Sequence, residues 1–348
     1  MSIDDQPLNW VQRYKLRLKR KRLLWRSFRS RHRLTSLCNR TQQIKPKAIL
    51  GFTTLRNEIT RLPWFFKHYR ALGVDHFLMV DNDSDDGSVP YLLDQPDVSL
   101  WQTAANYRAS RFGLDWLTWL QWKYAHGHWS LMVDADELLV YTHHDTHTLR
   151  DLTTWLDARG QPAFGALMLD LYPKGPIGAQ TYDPQSDPTG VLNWFEPGPY
   201  RTQRQMPMGN LWAQGGMRER VFFAEQPERS PTLNKIPLVR WSRHMAYVNS
   251  THSALPRTLN FGYDGPGGNT PSGVLLHTKF LPEVVEKSQA EKQRRQHFHD
   301  PDQFSTYYDG IISRPDLWTP SSIQLSDWRQ LRKLGLMNSG GFPATAGK

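Results

Sequence analysis

The sequence predicts an α/β fold in which helices cover both faces of a mostly parallel sheet. Two observations lead to this prediction. The chain has 348 residues, of which 39% are hydrophobic, so it can bury a sizeable core. After Pro46, short apolar runs alternate with longer helical stretches, and this alternation is typical of parallel strands joined by helices.

The predicted elements follow from local patterns along the chain. Apolar runs predict strands at 48–54, 76–81, 98–103, 129–135 and 164–172. Helical patterns occur at 62–72, in a short helix ending near Asp94, and at 111–125, 148–158 and 283–298. Pro63 in the first turn and Gly73 just past the last turn bound the first of these helices.

Two segments lack such periodicity. Residues 171–216 are rich in Pro and Gly, which predicts long loops of the kind that often form a lid or a binding wall. The tail at 336–348 is expected to be disordered. The chain therefore divides into an arm at 1–45, a folded body at 46–335 and this tail.

The net positive charge of the chain lies in the arm. Residues 11–40 hold twelve Lys and Arg and no acid, whereas the whole chain has a net charge of +10, so the body is nearly neutral. Apolar residues recur at roughly helical spacing: Val11, Tyr14, Leu18, Trp25 and Phe28. Residues 10–40 could form a basic amphipathic helix on an anionic membrane or a solvated tail. Nucleic-acid binding is a weaker use of the same charges.

The cellular setting is expected to be cytoplasmic, with a peripheral position on the inner face of the membrane if the arm binds lipid. Cys38 is the only cysteine, so the chain can form no internal disulfide, which fits a reducing compartment. No window approaches the ~20 apolar residues that span a bilayer, and the N-terminus has no uninterrupted apolar signal segment.

Three carboxylates crowd the end of the fourth predicted strand, in "VDADELLV" at 133–140. In an extended segment, Asp134 and Asp136 point to the same side. Two carboxylates aimed at one place repel each other unless a cation lies between them, and a hard divalent ion fills its remaining positions with phosphate oxygens and water. An acidic turn that faces water is the simpler explanation of D-x-D alone.

A second acidic loop follows the second predicted strand, in "VDNDSDDGS". Its oxygens can accept hydrogen bonds from a nucleobase or a ribose, or they can cap the next helix through Ser84, Asp85 or Asp86. Ligands of open α/β sheets bind beyond the carboxyl ends of the strands. The loops at 53–58, 81–86 and 134–137 are therefore expected to converge on a nucleotide with a diphosphate.

The chain resembles bacterial glycosyltransferases of the family 2 type with the GT-A fold, over about residues 48–335. The resemblance is carried by "TTLRNE", "LPWFFKHYRALGVDHFLMVDNDSDDGS", "VDADELLVY", "LYPKG", "GGMRERVFF", "LNKIPLVRW" and "LLHTKF". It implies a GT-A-like, Rossmann-type sheet whose residues 46–140 bind the nucleotide and whose residues 141–335 bind the acceptor. The implied reaction moves a sugar from a nucleotide-sugar donor to an acceptor hydroxyl with inversion, assisted by Mn²⁺ or Mg²⁺.

The resemblance also implies roles for individual residues. Thr53, Arg56 and Glu58 would flank the nucleoside, and Asp81 and Asn82 would contact the base or ribose. Asp134 and Asp136 would hold the metal and the diphosphate of the donor. A UDP-sugar is the favoured donor. The commoner family pattern has Asp-Asp-Gly-Ser where this chain has Asp81-Asn82-Asp83-Ser84.

Inverting transfer needs a general base, for which a carboxylate is the usual choice. Glu219, between Arg218 and Arg220, is the first candidate, and Asp170 at the end of the fifth predicted strand is the second. A Glu flanked by two Arg is more commonly a structural ion pair.

Histidine and tryptophan patterns give further candidates. His277 in "LLHTKF" is a third metal ligand by resemblance, and Lys279 could meet the diphosphate leaving group. A lone His is more often structural. His143 and His147 have helical spacing, but a polar surface explains them more simply than zinc does. Trp116, Trp119 and Trp122 are expected to be core rather than a sugar-stacking surface.

Three functions are compatible with these patterns. The first is a metal-dependent glycosyltransferase that builds a cell-surface polysaccharide or glycolipid on a carbohydrate or glycolipid acceptor. The second is a nucleotide-sugar-binding protein without turnover. The third is a nucleic-acid-associated protein that uses the basic arm and leaves the acidic loops idle.

Overall fold

The computed structural model describes residues 7–294 and 301–344, and a large mixed sheet forms its centre. The strands are β1 (Thr35–Cys38), β2 (Ile49–Leu55), β3 (His76–Asp81), β4 (Val98–Gln102), β5 (Trp129–Met132), β6 (Glu137–Val140), β7 (Ala163–Asp170), β8 (Trp194–Phe195), β9 (Tyr200–Gln205), β10 (Asn210–Gly215), β11 (Asn234–Arg240), β12 (Ala246–Tyr247), β13 (Ala254–Leu255), β14 (Ser272–His277) and β15 (Ile323–Gln324).

The helices are α1 (Trp10–Ser30), α2 (Leu62–Ala71), α3 (Ser88–Leu93), α4 (Leu114–Tyr124), α5 (Leu149–Ala158), α6 (Gly216–Phe222), α7 (Val284–Arg294), α8 (Pro301–Ile312) and α9 (Trp328–Lys333). The predicted elements between 48 and 172 agree with these bounds to within a few residues. The helix predicted at 283–298 is observed as α7 to Arg294, and its last four predicted positions lie outside the described residues. Within the described ranges, no helix is long and apolar enough to cross a membrane.

The central sheet has nine strands in the order β1-β4-β3-β2-β5-β11-β7-β14-β6. Strands β2, β3, β4, β5, β7 and β14 point in one direction, whereas β1, β6 and β11 run against them. The pleated strands are buried on both faces, because helices α2, α3 and α5 pack on one face and α4 packs on the other. The predicted α/β class, a mostly parallel sheet with helices on both faces, is confirmed.

The basic arm is attached to this body. Asn9 caps α1 by a reciprocal pair of hydrogen bonds with Gln12 (2.9 and 3.1 Å), and β1 extends the sheet by pairing with β4. Arg26 binds the carboxylate of Asp115 on α4 at 2.9 Å, which fixes α1 against that helix. The arm is thus helical, as one of the two main interpretations expects, and it is not a free tail.

Two segments differ from the sequence-based expectation. The span at 171–216 contains the β9-β10 hairpin and a short pairing of β8 with β15, in addition to loops. The hairpin was missed because its β9 strand, "YRTQRQ", is largely exposed and polar, so it shows no apolar run. Residues 336–344, for which disorder is expected, lie against the body, with Leu336, Met337 and Phe342 buried. Residues 345–348 lie outside the described ranges.

Candidate functional site

The carboxyl ends of the parallel strands bring the predicted site residues to one edge of the sheet. Asp81 ends β3, Asp170 ends β7 and His277 ends β14. The antiparallel strands β6 and β11 begin at the same edge, so they deliver Glu137 and Lys235 there. The site is therefore built from strand termini, as expected for an open α/β sheet.

The D-x-D segment is a turn rather than the end of a strand. Strand β5 stops at Met132, and the backbone N–H of Glu137 donates to the carbonyl of Asp134 at 3.1 Å. This geometry corrects the expectation that strand alternation aims Asp134 and Asp136 at one place. The two carboxylates have different partners, with Asp134 beside Lys235 (3.2 Å) and Asp136 beside His277 (3.1 Å).

Asp136 belongs to a buried chain of charged side chains. Its Oδ2 lies 3.1 Å from Nε2 of His277, whose Nδ1 lies 2.6 Å from Oδ1 of Asp170. The other oxygen of Asp170 accepts a hydrogen bond from Nε of Arg218 at 2.6 Å. The side chains of Asp170, Arg218 and His277 are each less than a tenth exposed, so the chain is shielded from water.

Protonation in this chain is set by opposing effects. Burial acts to raise the pKa of Asp136, but the charge of His277, its hydrogen bond, and the charges of Arg61 and Lys279 hold that pKa well below its ordinary value. Burial acts to lower the pKa of His277, but Asp136 and Asp170 raise it above its ordinary value. Asp170 likewise keeps a lowered pKa against its burial, because Arg218 and His277 favour its charged form.

Lys235 compensates the third carboxylate of the motif. Its ammonium lies 2.8 Å from Glu137 and 3.2 Å from Asp134. Glu137 and Lys235 are buried, whereas the side chain of Asp134 is 52% exposed. Burial, together with Asp134 and Asp136, raises the pKa of Glu137 against the opposing attraction of Lys235. Glu137 is therefore a structural partner of Lys235, which leaves Asp134 and Asp136 as the two carboxylates of this motif that could contact a ligand.

Arg61 is a second buried cation near the site. It bonds Glu58 and Glu283 at 2.8 Å each, and its guanidinium donates to the carbonyls of Thr278 and Lys279 at 3.4 and 3.3 Å. Burial opposes its charge, but the surrounding acids outweigh that effect and raise its pKa. Arg61 thus ties α2 to the segment that follows β14.

The predicted nucleoside loops meet each other. Arg56 donates to the carbonyl of Asn82 at 2.9 Å, Asn57 bonds Ser84 and Asp85, and the N–H of Glu58 donates to Ser88 at 3.1 Å. The hydroxyl of Thr53 donates to the carbonyl of Val133 at 3.0 Å, which joins this pair of loops to the D-x-D turn.

Asp81 and Asn82 have different roles in this corner. The side chain of Asn82 donates to the carbonyls of Thr103 and Ala105 at 2.8 and 3.1 Å, so it braces the neighbouring loop. Asp81 is completely buried, and its Oδ2 accepts from Ser84 and Gln102 at 3.1 Å each. Its Oδ1 has no partner among the described residues. A buried carboxylate oxygen without a donor is costly, and a ligand N–H or O–H would satisfy it.

Both candidate bases are already paired. Asp170 uses one oxygen on His277 and the other on Arg218. Glu219, on α6, forms an ion pair with Arg201 and accepts a hydrogen bond from the hydroxyl of Ser230 at 2.7 Å. Arg218 and Glu219 therefore lie on the same helix but form ion pairs with different partners.

The donor set at Asp136 and His277 fits a divalent cation in part. Asp170 holds Nδ1 of His277, so Nε2 faces Asp136. A carboxylate commonly orients a metal-binding histidine in this way. Two neighbouring ligand atoms of an octahedral ion, each about 2.1 Å from the ion, lie about 3 Å from each other. The distance between Nε2 of His277 and Oδ2 of Asp136 is 3.1 Å, which is close to this value. No cluster of three or more His, Cys, Asp or Glu with metal-holding geometry occurs among residues 7–294 and 301–344.

The remaining histidine and tryptophan candidates have other surroundings. His143 and His147 pack on the rings of Phe342 and, for His143, Trp328. Trp116 is fully buried, as expected for a core residue. Trp119 is partly buried and packs against the core, whereas Trp122 is 36% exposed and stacks on Trp119 with ring centroids 5.3 Å apart, so the core prediction is wrong for Trp122.

Three important residues were not assigned from the sequence: Arg61, Arg218 and Lys235. Lys235 had a usable signal, because it opens the apolar run "KIPLV", where an unpaired lysine would be unfavourable. For Arg61 and Arg218 the sequence carries no comparable signal. Their partners Glu283 and Asp170 lie far away along the chain.

No family model and no curated protein matches the chain. Among solved structures, a mannosyltransferase from Pyrobaculum calidifontis in complex with GDP-Man and Mn²⁺ is similar at 14% identity and a TM-score of 0.32, over 86% of this chain and 79% of that chain. A protein from Bacillus anthracis assigned as a glucose-1-phosphate thymidylyltransferase, in complex with a sucrose, has 9% identity and a TM-score of 0.26, over 83% and 94%.

A 4-diphosphocytidyl-2C-methyl-D-erythritol synthase is similar at 16% identity and a TM-score of 0.24. This likeness covers 39% of the present chain, which spans only 65% of the length of that synthase. All three TM-scores indicate distant likeness, so the function proposed below depends on the geometry of the site.

Proposed function

We propose that the protein is a glycosyltransferase that moves a sugar from a nucleotide-sugar donor to an acceptor hydroxyl with inversion. The observation that carries this proposal is the Asp136–His277 pair, held by Asp170 at the strand edge where Lys279 and the loops around Asp81 also lie. A chain of buried charges at that edge has no evident purpose in stabilising the fold, because buried ion pairs are weak contributors to stability.

The donor is proposed to lie along the carboxyl ends of β2, β3 and β5. The unpaired Oδ1 of Asp81 is suited to an N–H or O–H of the base or ribose, and Thr53, Arg56, Glu58 and Asn82 shape that corner. The diphosphate would then lie between Asp134 and the ammonium of Lys279. We propose a UDP-sugar as the donor, with residues 46–140 forming the nucleotide half.

The proposed cofactor is Mn²⁺ or Mg²⁺, held by Asp136 and His277 with Asp134 as the third residue. A divalent ion at this place supplies positive charge that stabilises the diphosphate leaving group. Asp170 keeps the ring of His277 oriented, and Arg218 keeps Asp170 ionised. These two residues are proposed to position the ligand set, and they need not touch the substrate.

The transfer step requires one proton acceptor. The acceptor oxygen attacks the anomeric carbon, the bond from that carbon to the diphosphate oxygen breaks, and the hydroxyl proton passes to a carboxylate. Asp170 is the weaker of the two proposed bases, because both its oxygens are paired and its pKa is lowered. Glu219 remains the first choice, since its partner Arg201 is half exposed and can be displaced by an acceptor.

The acceptor is proposed to be a carbohydrate or a glycolipid of the cell surface, bound by residues 141–335. The protein would act in the cytoplasm, peripherally on the inner face of the membrane. This placement is supported by the basic helix α1, which contains no acid in its first turn and exposes several large apolar side chains.

The test is a screen of nucleotide sugars with Mn²⁺ by thermal shift, followed by measurement of nucleotide release. Asp136→Asn should keep the fold and abolish both the metal-dependent shift and the release, because it removes the charged ligand. Asp309→Asn is the matched control, since this aspartate is 55% exposed and forms its ion pair with Lys292, away from the acidic site. Full turnover of the Asp136 variant would refute the proposal, and stabilisation of the native protein without release would favour a non-catalytic binding protein.

A further inference from the structure

Helix α1 exposes a stripe of large apolar side chains. Trp10, Tyr14, Leu18 and Trp25 are 78%, 56%, 47% and 60% exposed. At 100° per residue, these four positions fall within an arc of about 80° on the outer surface of the helix. Isolated exposed apolar residues are common, but a contiguous stripe of this kind marks an interaction surface.

The opposite side of α1 is firmly held by the body. Leu23 is buried against Ala246 and Leu255, and Arg26 bonds Asp115 at 2.9 Å. The hydroxyl of Ser30 donates to the carbonyl of Asp115 at 3.0 Å. The stripe is therefore a fixed outer face of a docked helix, and its exposure does not result from a frayed terminus.

An apolar crevice of about 350 Å³ adjoins the stripe, between α1 and α4. Its walls include two aromatic stacks, Trp25 on Phe28 (5.7 Å between ring centroids) and Trp119 on Trp122 (5.3 Å). Leu24, Ser27 and Lys21 complete the lining. The crevice shares no residue with the acidic site, so the sugar chemistry does not account for it.

The charges around these features are mainly positive, and the carboxylate of Asp115 is buried in its ion pair with Arg26. Between residues 6 and 57 the chain contains no Asp or Glu, and α1 carries nine Lys and Arg. Arg243 lies over the ring of Trp122 at 5.5 Å, and Lys21 lines the crevice. An occupant must therefore combine an apolar body with an anionic head. Indole rings at a polar boundary and basic side chains beside them are the features of helices that lie in a bilayer interface.

We infer that the outer face of α1 docks on an anionic phospholipid leaflet and that the crevice between α1 and α4 receives one acyl chain. The inference rests on the proposed function for the membrane placement of the enzyme, and it adds the lipid class and the contact residues. Each Lys or Arg near an anionic surface adds to the attraction, and the aromatic side chains enter the boundary between head groups and acyl chains. A nucleic acid duplex would use the charges but leave the apolar stripe and the crevice in water.

The first experiment measures binding of the full-length protein to vesicles by sedimentation. Vesicles containing phosphatidylserine should bind the protein, whereas vesicles of phosphatidylcholine alone should not. The double variant Trp10→Ser/Trp25→Ser should weaken binding about tenfold or more, because two large apolar side chains no longer enter the interface. The control Leu37→Ser/Leu334→Ser removes apolar side chains of 38% and 36% exposure outside α1 and should bind normally. Equal binding to both vesicle types, or no effect of the Trp substitutions, would overturn the inference.

The second experiment locates the acyl chain. Phosphatidylserine with a photoreactive group in its acyl chain should cross-link to peptides containing residues 21–28 and 119–122. Cross-links confined to other segments would overturn the assignment of the crevice. Binding of duplex DNA that matches vesicle binding and survives the Trp substitutions would instead favour a nucleic-acid partner.

Failure of this inference can be separated from failure of the proposed enzyme. The variant Trp10→Ser/Trp25→Ser should release nucleotide from the donor at the native rate in detergent-free solution with a soluble acceptor. Asp136→Asn should lose that release and still bind vesicles. Loss of nucleotide release in both variants would show that the outer face of α1 and the acidic site do not act independently, which contradicts the inference.

Discussion

Substitution of Lys235 by Met tests whether this buried ammonium compensates the charge of Glu137. Both side chains are almost fully buried, with exposures of 4% and 1%, and their charged atoms lie 2.8 Å apart. Removing one partner of a buried pair costs about 3–5 kcal/mol, because the other charge is left without compensation. The second contact, to the half-exposed Asp134, adds little, since solvent screens exposed pairs.

The expected loss is therefore about 3–5 kcal/mol in the free energy of unfolding at neutral pH. Urea denaturation followed by fluorescence measures it, and the midpoint should fall by about 1–1.7 M if the denaturant slope is about 3 kcal/mol per molar. The double variant Glu137→Gln/Lys235→Met should recover most of the loss, because no buried charge remains. Lys333→Met, at an exposed position, is the matched control and should leave the midpoint unchanged.

The loss should also depend on pH. Burial already raises the pKa of Glu137 above its ordinary value of 4.5, and without Lys235 that pKa rises further. Below pH 4.5, Glu137 is protonated in both the folded and the unfolded variant, so the loss is small. As pH increases, the unfolded chain releases the proton first and the folded chain retains it, so stability falls until the folded pKa is passed. A loss below about 1 kcal/mol, or one that neither pH nor Glu137→Gln alters, would refute this reasoning.

Three further predictions concern the site and the tail. Asp136→Asn should abolish the Mn²⁺-dependent thermal shift, while the metal-free protein still folds with a lowered unfolding midpoint because His277 loses a charged partner; a normal shift would contradict its role as a ligand. Asp170→Asn should weaken Mn²⁺ binding about 10- to 100-fold in a calorimetric titration, because the ring of His277 loses the carboxylate that orients it, and native affinity would show that this support is unimportant. Phe342→Ala should reduce the free energy of unfolding by about 3–5 kcal/mol, since the ring is buried against His147 and Trp155, whereas a neutral effect would indicate that the tail is not docked.

Most of the nucleotide-side half of the sheet could be predicted because its signals are local. Strands β2, β3 and β4 are short apolar runs followed by polar loops, and α2 is bounded by Pro63 and Gly73. The position of Asp81 at the end of β3 could also be predicted, since it ends an apolar run, whereas Asp134 lies in the turn that follows β5. Where the signal was weak, as in the exposed β9 strand and the short β6 strand, the prediction failed.

The arrangement of the charged residues could not be predicted in the same way. Asp134 and Asp136 were expected to share one direction, yet the turn between β5 and β6 gives them different partners. Glu219 was the first candidate for the general base, with a structural ion pair as the alternative, and the structure pairs it with Arg201 rather than with its neighbours Arg218 and Arg220. Such pairings depend on which strands and loops become neighbours in the fold, and local sequence patterns do not indicate this.

The sequence by itself determined the fold class, the acidic strand ends and the basic amphipathic character of α1, because periodicity, capping and charge composition act between residues close along the chain. Only the tertiary structure decided that β11 enters the sheet between β5 and β7, which brings Lys235 to Glu137 and Asp134, and that β14 lies beside β7, which joins His277 to Asp170. These partners are about one hundred residues apart, and strand pairing over such distances is selected by packing of the whole core.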